Sequence, residues 1–284
     1  MTSNMARLTT HPVLDRLIAA MSGISPALVF GHRGSSVLEL ENSVPAFERA
    51  RRTGVPAVEL DVQLSRDGQV VVAHDGDLRR LAGRPERVRD LPAVELSRVA
   101  LAEGERSASG IPTLHAVLEI LARDCVVDIE LKSYRDTPPE LSEHVARLIA
   151  FRGIARRTMV SSFDPRLVQR FRRSAARHGI DVPTAAIYSR DLEVPWLLRG
   201  GLAGPLTRSE VAKPMWQIAG NRTRDRWNRS RPRVVWTVND TAAARTALSA
   251  GAAGLVGDDP ELLMEAVAQF AAQGGGRQPG RSRE

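Results

Sequence analysis

Of 284 residues only one is cysteine, Cys125. No intramolecular disulfide can form, so packing alone must hold the fold, and a reducing, cytoplasmic setting is expected. Cys125 leads into the apolar run Val126–Val127, which reads as a small buried hydrophobe and not a nucleophile. Lysine is almost missing: the chain has Lys132 and Lys213 only, so the net charge of +7 is an arginine excess. The arginines form no dense basic block interleaved with aromatics, which argues against a nucleic-acid partner. Long apolar runs are missing too. Nothing approaches the roughly 18 to 20 residues of a membrane span, so no stable membrane insertion is expected. The most apolar early stretch, Leu17 to Phe30, is interrupted by Ser22, Gly23, Ser25 and Pro26. It reads as a short helix, about Pro12 to Met21, followed by a strand, and not as a leader peptide whose removal would take that strand away.

What is present is alternation. Strand-like runs occur at Ala27–Phe30, Ala57–Val62, Val70–Ala73, Val126–Leu131, Thr158–Ser161, Pro183–Tyr188, Val234–Val238 and Gly254–Val256. Helical patterns lie between most of them, at Ser43–Arg52, Thr113–Ala122, Pro139–Phe151, Pro165–His178, Thr241–Ala250 and Pro260–Ala272. Near-continuous apolar strands separated by helices predict a parallel sheet covered on both faces. Eight such strands predict an α/β fold of the (β/α)8, TIM-barrel type, which typically takes about 250 residues. The barrel is expected over residues 27–273, after a helical extension at 1–26 and before a disordered Gly/Arg/Ser/Pro-rich tail at 274–284. Two places break the rhythm. Ser65–Gly68 is too short for a helix and predicts a tight turn, and Leu78–Gly110 predicts a polar excursion over the mouth after the third strand. Arg190–Arg233 receives no assignment.

Active sites of such barrels gather at the C-terminal ends of the strands. His32, His74, Ser162, Asn239 and Asp258 all fall at or just beyond strand ends. Glu59 and Asp61 are two apart on one strand and share a face, as do Glu130 and Lys132 on another. If that face is the interior, Glu59, Asp61 and Glu130 converge. Two carboxylates about 4 Å apart repel by roughly 4 kcal/mol at an effective dielectric of about 20, so the cluster calls for a cation. All-oxygen donors suit Mg2+ or Ca2+ better than zinc. His32 and His74 have the chemistry of a general base and a general acid. Arg33 and Lys132 have the chemistry of phosphoryl-oxygen ligands.

The motifs "GHRG" at Gly31, "ENSVPAF" at Glu41, "VELDVQLSRDGQVVVAHD" at Val58, "IPTLHAVL" at Ile111, "DIELK" at Asp128, "VSSFDP" at Val160, "VVWTVND" at Val234 and "GLVGDDPE" at Gly254 stand in the same order as in one known family. The sequence resembles the glycerophosphodiester phosphodiesterases from about Leu28 to Val267. The resemblance implies metal ligation by Glu59, Asp61 and Glu130, with Mg2+, Ca2+ or Mn2+ as the ion. It also implies acid–base roles for His32 and His74, phosphate contacts from Arg33 and Lys132, a polar role near the metal for Glu41, and an aromatic wall beside glycerol from Trp236. The implied substrate is a small phosphodiester, cut to sn-glycerol 3-phosphate and an alcohol. Leu40, Gly76 and Gly257 stand where the family usually has proline, proline and threonine. Other readings are a lysophospholipase D or sphingomyelinase D-like enzyme on the same barrel, and an inactive binding barrel.

Overall fold

The computed structural model describes residues 11–189, 203–219, 228 and 230–274. Eleven strands are present among them: β1 Leu28–His32, β2 Ala57–Leu64, β3 Val70–Val72, β4 Ala100–Glu103, β5 Arg106–Ser109, β6 Val126–Leu131, β7 Thr158–Ser162, β8 Thr184–Tyr188, β9 Val211–Pro214, β10 Val234–Val235 and β11 Gly254–Gly257. Eight of them run parallel in the order β10-β11-β1-β2-β6-β7-β8-β9. Parallel bridges Ala212↔Arg233 and Met215↔Trp236 then join β9 to the β10 side and nearly close the ring. The backbone N–H groups of Ala212 and Trp236 donate across that seam to Pro232 (3.0 Å) and Pro214 (3.1 Å).

Eight is the expected number, but one member differs. Val70–Val72 pairs antiparallel with β2, with Val62 opposite Val72, and lies off the barrel path. The four-residue turn Ser65–Gly68 dictates this, since a tight turn returns the chain antiparallel and a parallel return needs a crossover of a dozen or more residues. Gly68 sits at φ +74° and donates to Ser65 O at 3.0 Å. The eighth barrel strand is instead β9, inside the unassigned stretch. The four residues Val-Ala-Lys-Pro carry a lysine and a proline and do not read as a buried strand.

The helices start where side chains cap them. Ser43, Thr113, Asp164, Asp240 and Asp259 each accept from a backbone N–H in the first turn of the helix that follows. The outward residues of β2 and β6, including Val58, Leu60, Val127 and Ile129, pack under the helices Val44–Arg52, Leu114–Ile120, Leu141–Arg152 and Pro165–Arg177. Those of β1, β10 and β11 pack under Thr241–Ser249 and Pro260–Ala272. Each barrel strand also sends apolar side chains into the lower interior: Leu28 and Phe30 from β1, then Ala57, Val126, Met159, Ala185, Val211, Val234 and Val256 from the others. The helix Pro12–Met21 closes the floor with Val13, Leu14 and Leu17. Chemistry is thereby confined to the upper half.

The polar excursion is a folded lobe. Short helices at Arg79–Ala82 and Ala93–Leu96 and the hairpin β4–β5 enclose Leu78, Val88, Leu96, Val99, Leu101 and Ile111. Leu40 is fully buried in that core, so the leucine at a position where proline is usual anchors the lobe to the loop after β1. Among the described residues no helix is long and apolar enough to cross a membrane.

Candidate active site

Alternation along β2 and β6 sorts the side chains. Val58, Leu60 and Val62 face the outer core, while Glu59 and Asp61 face inward above Ala57. In register, Glu59 lies beside Asp128 and Asp61 beside Glu130. The result is the predicted convergence: Glu59, Asp61 and Glu130 are buried and offer oxygens all within 4.8 Å of one another.

Basic groups surround these acids. Lys132 Nζ lies 2.9 Å from Glu130 Oε1 and 3.2 Å from Asp61 Oδ1. Arg33 Nε lies 3.2 Å from Asp61 Oδ2, and Arg33 Nη1 lies 2.8 Å from Glu41 Oε1. The Arg33 backbone N–H also donates to Glu59 Oε2 at 3.2 Å. The loop geometry makes this possible. Arg33 itself has φ +54°, and a Cβ on Gly31 would stand 2.2 Å from Gly34 O, so the turn closes only with glycine there.

Burial on its own would raise both Glu59 and Asp61. At Asp61 the nearby Lys132 and Arg33 charges outweigh burial and hold the carboxyl well below its usual range. At Glu59 burial and then repulsion from Asp61 dominate, pushing its carboxyl well above that range despite Lys213. Asp128, beneath, is raised chiefly by burial. The interior therefore sets four acids, Glu59, Asp61, Asp128 and Glu130, against three bases, Arg33, Lys132 and Lys213. Acids thus outnumber bases by one when every group is ionised, and the three that converge offer only oxygen donors. That donor set fits a hard divalent cation.

The histidines flank this cluster on rigid strand ends. His32 Nδ1 lies 2.6 Å from Asp258 Oδ1, and its Nε2 points toward the acids, 3.9 Å from Glu59 Oε2. Asp258 is itself held by Ser36 Oγ (3.2 Å) and Asn239 Nδ2 (2.5 Å). These bonds and His32 outweigh burial and keep its carboxyl below the usual range. His74 follows β3, and its Nδ1 lies 2.7 Å from Asp75 Oδ1. Tyr134 donates its hydroxyl to the His74 carbonyl. In both pairs a carboxylate occupies Nδ1, which leaves Nε2 for a reacting group.

Glu41 stands outside the three-carboxylate cluster and spends its oxygens on Arg33 and Arg80. Trp236 lies half-buried at the seam, donating Nε1–H to Lys213 O at 2.9 Å and meeting Phe163 edge-on with centroids 5.4 Å apart. Simple alternation puts Val238 on the Trp236 face. The structure instead buries Val238 with Val235 in the outer core, because β10 ends at Val235 and the two-residue alternation ends with it. Cys125 is buried and its thiol is pushed up to about 11, mainly by burial, as suits an inert core residue.

Sequence reasoning misses several partners. Asn42, at φ +53°, donates Nδ2–H to Asp61 Oδ2 at 2.8 Å. Lys213 is buried, with Nζ 2.8 Å from Asp128 Oδ2, 3.3 Å from Ser161 Oγ and 3.8 Å from Glu59 Oε1. Its signal is faint but real: an acid at 128 on the inward face of β6 requires a buried cation opposite, and the chain has only two lysines.

A sequence profile of the Glycerophosphoryl diester phosphodiesterase family matches residues 32–262. A glycerophosphodiester phosphodiesterase of Caldanaerobacter subterraneus subsp. tengcongensis is 29% identical over 244 residues, 84% of this chain and 97% of that protein. Among solved structures, a glycerophosphodiester phosphodiesterase of Thermotoga maritima superposes with a TM-score of 0.68 at 28% identity, covering 85% of this chain and 98% of its own. An Oleispira antarctica phosphodiesterase, solved with its product sn-glycerol-3-phosphate, shares the fold at a TM-score of 0.70 and 19% identity, over 87% of this chain and 99% of its own. With a profile spanning most of the sequence and relatives aligned nearly end to end, this chain belongs to the glycerophosphoryl diester phosphodiesterase family.

Proposed function

We propose that the chain hydrolyses glycerophosphodiesters to sn-glycerol 3-phosphate and the corresponding alcohol, acting in the cytoplasm on small-molecule substrates. The observation that carries this reading is the meeting of Glu59, Asp61 and Glu130 within 4.8 Å, with two carboxylate-backed histidines beside them. The three acids would hold the divalent cation, Mg2+ or Ca2+ by donor chemistry, with Mn2+ as a further candidate. When bound, such an ion supplies Lewis-acid stabilisation of a non-bridging phosphoryl oxygen. Lys132 and Arg33, already at the rim of the acids, direct N–H groups at the remaining oxygens and offset charge that grows as the phosphoryl group is attacked.

One of His32 and His74 takes a proton from the nucleophile, and the other returns one to the departing alcohol oxygen. The bond that breaks joins phosphorus to that alcohol oxygen. The bond that forms joins phosphorus to the incoming oxygen, from water or from the glycerol 2-hydroxyl; in the second route water then opens the cyclic phosphate. Asp258 and Asp75 hold the rings in one orientation and tautomer throughout. Phosphorus NMR of a glycerophosphocholine digest is expected to show sn-glycerol 3-phosphate, whereas phosphocholine would place the cut on the wrong bond. A lysophospholipase D-like preference has less support, because the lobe residues linked to the site's supports, Arg80, Glu103 and Arg106, are charged and ion-paired.

Trp236 is read as the wall beside the glycerol carbons. Its ring is only half-buried, so Trp236→Ala is expected to cost less than the roughly 3 to 5 kcal/mol of a full core truncation. KM for glycerophosphodiesters should rise, while hydrolysis of an artificial diester lacking glycerol should be spared. Equal losses on both substrates in a well-folded variant would remove the glycerol-reading role.

A further inference from the structure

Arg80, on the first short helix of the lobe, reaches three acids with one guanidinium. Its Nε lies 2.6 Å from Asp75 Oδ2. Its Nη2 lies 2.6 Å from Glu41 Oε1 and its Nη1 3.2 Å from Glu41 Oε2. Nη1 also lies 2.9 Å from Glu103 Oε1 on the hairpin. Two of these acids are the supports of site groups: Asp75 holds His74 Nδ1, and Glu41 holds Arg33 Nη1. From Glu103 the network continues through Arg106, which donates to Glu103 Oε2 at 2.7 Å and to Ser36 O at 2.6 Å. Ser36 in turn touches Asp258, the support of His32.

We propose that Arg80 is a positioning residue, which fixes the His74 ring through Asp75 and the Arg33 guanidinium through Glu41. The lobe thereby becomes part of the catalytic apparatus and not merely a cover. The inference rests on the acid–base reading of His74. The geometry suits arginine: a planar fork with five N–H donors spans Asp75, both Glu41 oxygens and Glu103 at once, a wider set than the three clustered donors of one lysine ammonium cover. The Arg80 side chain is 37% exposed, and half-exposed ion pairs contribute little to folding stability. Its loss should therefore register in ring geometry and turnover before it registers in melting.

The test is a double-mutant cycle on the full chain with saturating divalent cation, following glycerol 3-phosphate release. Arg80→Met is expected to lower kcat by about 10-fold or more, the scale on which outer partners of a site act, with KM within about 3-fold of the parent and melting nearly unchanged. Arg80→Lys should recover little of the loss. In a His74→Ala background Arg80→Met should cost several-fold less than in the parent, because only its hold on Arg33 through Glu41 is left to lose. The same fold-loss in both backgrounds, or a near-normal kcat in Arg80→Met, would overturn the proposal. If Arg80→Met fails to fold, Arg80→Lys carries the same cycle, with the same two outcomes against it. A normal kcat in His74→Ala alone would overturn the acid–base reading of His74, and the cycle shows that arm separately.

Discussion

Replacing either His32 or His74 by alanine is expected to lower kcat by about 10²-fold or more, the range typical of acid–base groups. Folding should barely change, and the contacts say why. Without the His32 ring, Asp258 keeps Ser36 and Asn239. Without the His74 ring, Asp75 keeps Arg80. Neither substitution strands a buried charge, and both rings sit at strand ends above the apolar floor. Steady-state kinetics paired with thermal melting separates the alternatives. A variant that retains normal kcat does not carry a proton in the reaction, and one that unfolds owes its loss to structure.

The second large effect concerns the acids. Glu59→Gln is expected to weaken Mg2+ or Ca2+ binding by about 100-fold or more, beyond the roughly 10- to 100-fold that outer partners are worth, and to cut turnover with it. The electrostatics add a sign. Burial and Asp61 raise the Glu59 carboxyl, so the cation-free site holds a proton there that binding must displace. Affinity should therefore rise with pH, and calorimetric titration in two buffers of different ionisation heat should reveal proton release that disappears in Glu59→Gln. Stability follows the same linkage. A carboxyl whose folded pKa exceeds its unfolded value favours the cation-free fold below the unfolded pKa and loses that contribution as pH rises through the folded one. At neutral pH and without cation, Glu59→Gln should melt no lower than the parent. Cation affinity unchanged by the substitution would remove Glu59 from the ligand set.

Much of this arrangement can be read along the chain because barrel strands obey a two-residue period. Glu59 and Asp61 between Val58, Leu60 and Val62 cannot all face a hydrocarbon core, so the acids must point into the ring, and Glu130 follows on the neighbouring strand. The capped helix starts at Ser43, Thr113, Asp164, Asp240 and Asp259 are equally local signals. What stays hidden is set by distant partners. β9 is four residues long, and its Lys213 is tolerable inside the barrel only because Asp128 and Glu59 face it. Val70–Val72 reads as a barrel strand by composition, and only the brevity of the Ser65–Gly68 turn denies it that place. The lobe reads as polar because its small core is assembled from single apolar residues spread between Leu40 and Ile111. Arg80 is one arginine among many until the fold brings Asp75, Glu41 and Glu103 to it.

The central claim is that the three buried acids and two histidines form a cation-dependent glycerophosphodiesterase. A coupled assay for glycerol 3-phosphate release from glycerophosphocholine, run before and after exhaustive chelation with EDTA and again after adding back Mg2+, Mn2+ or Ca2+, tests it most directly. The account predicts release by the untreated protein, loss of release on chelation and recovery with at least one of the three ions. Full activity in the chelated protein, or no release under any of the three ions, would contradict it.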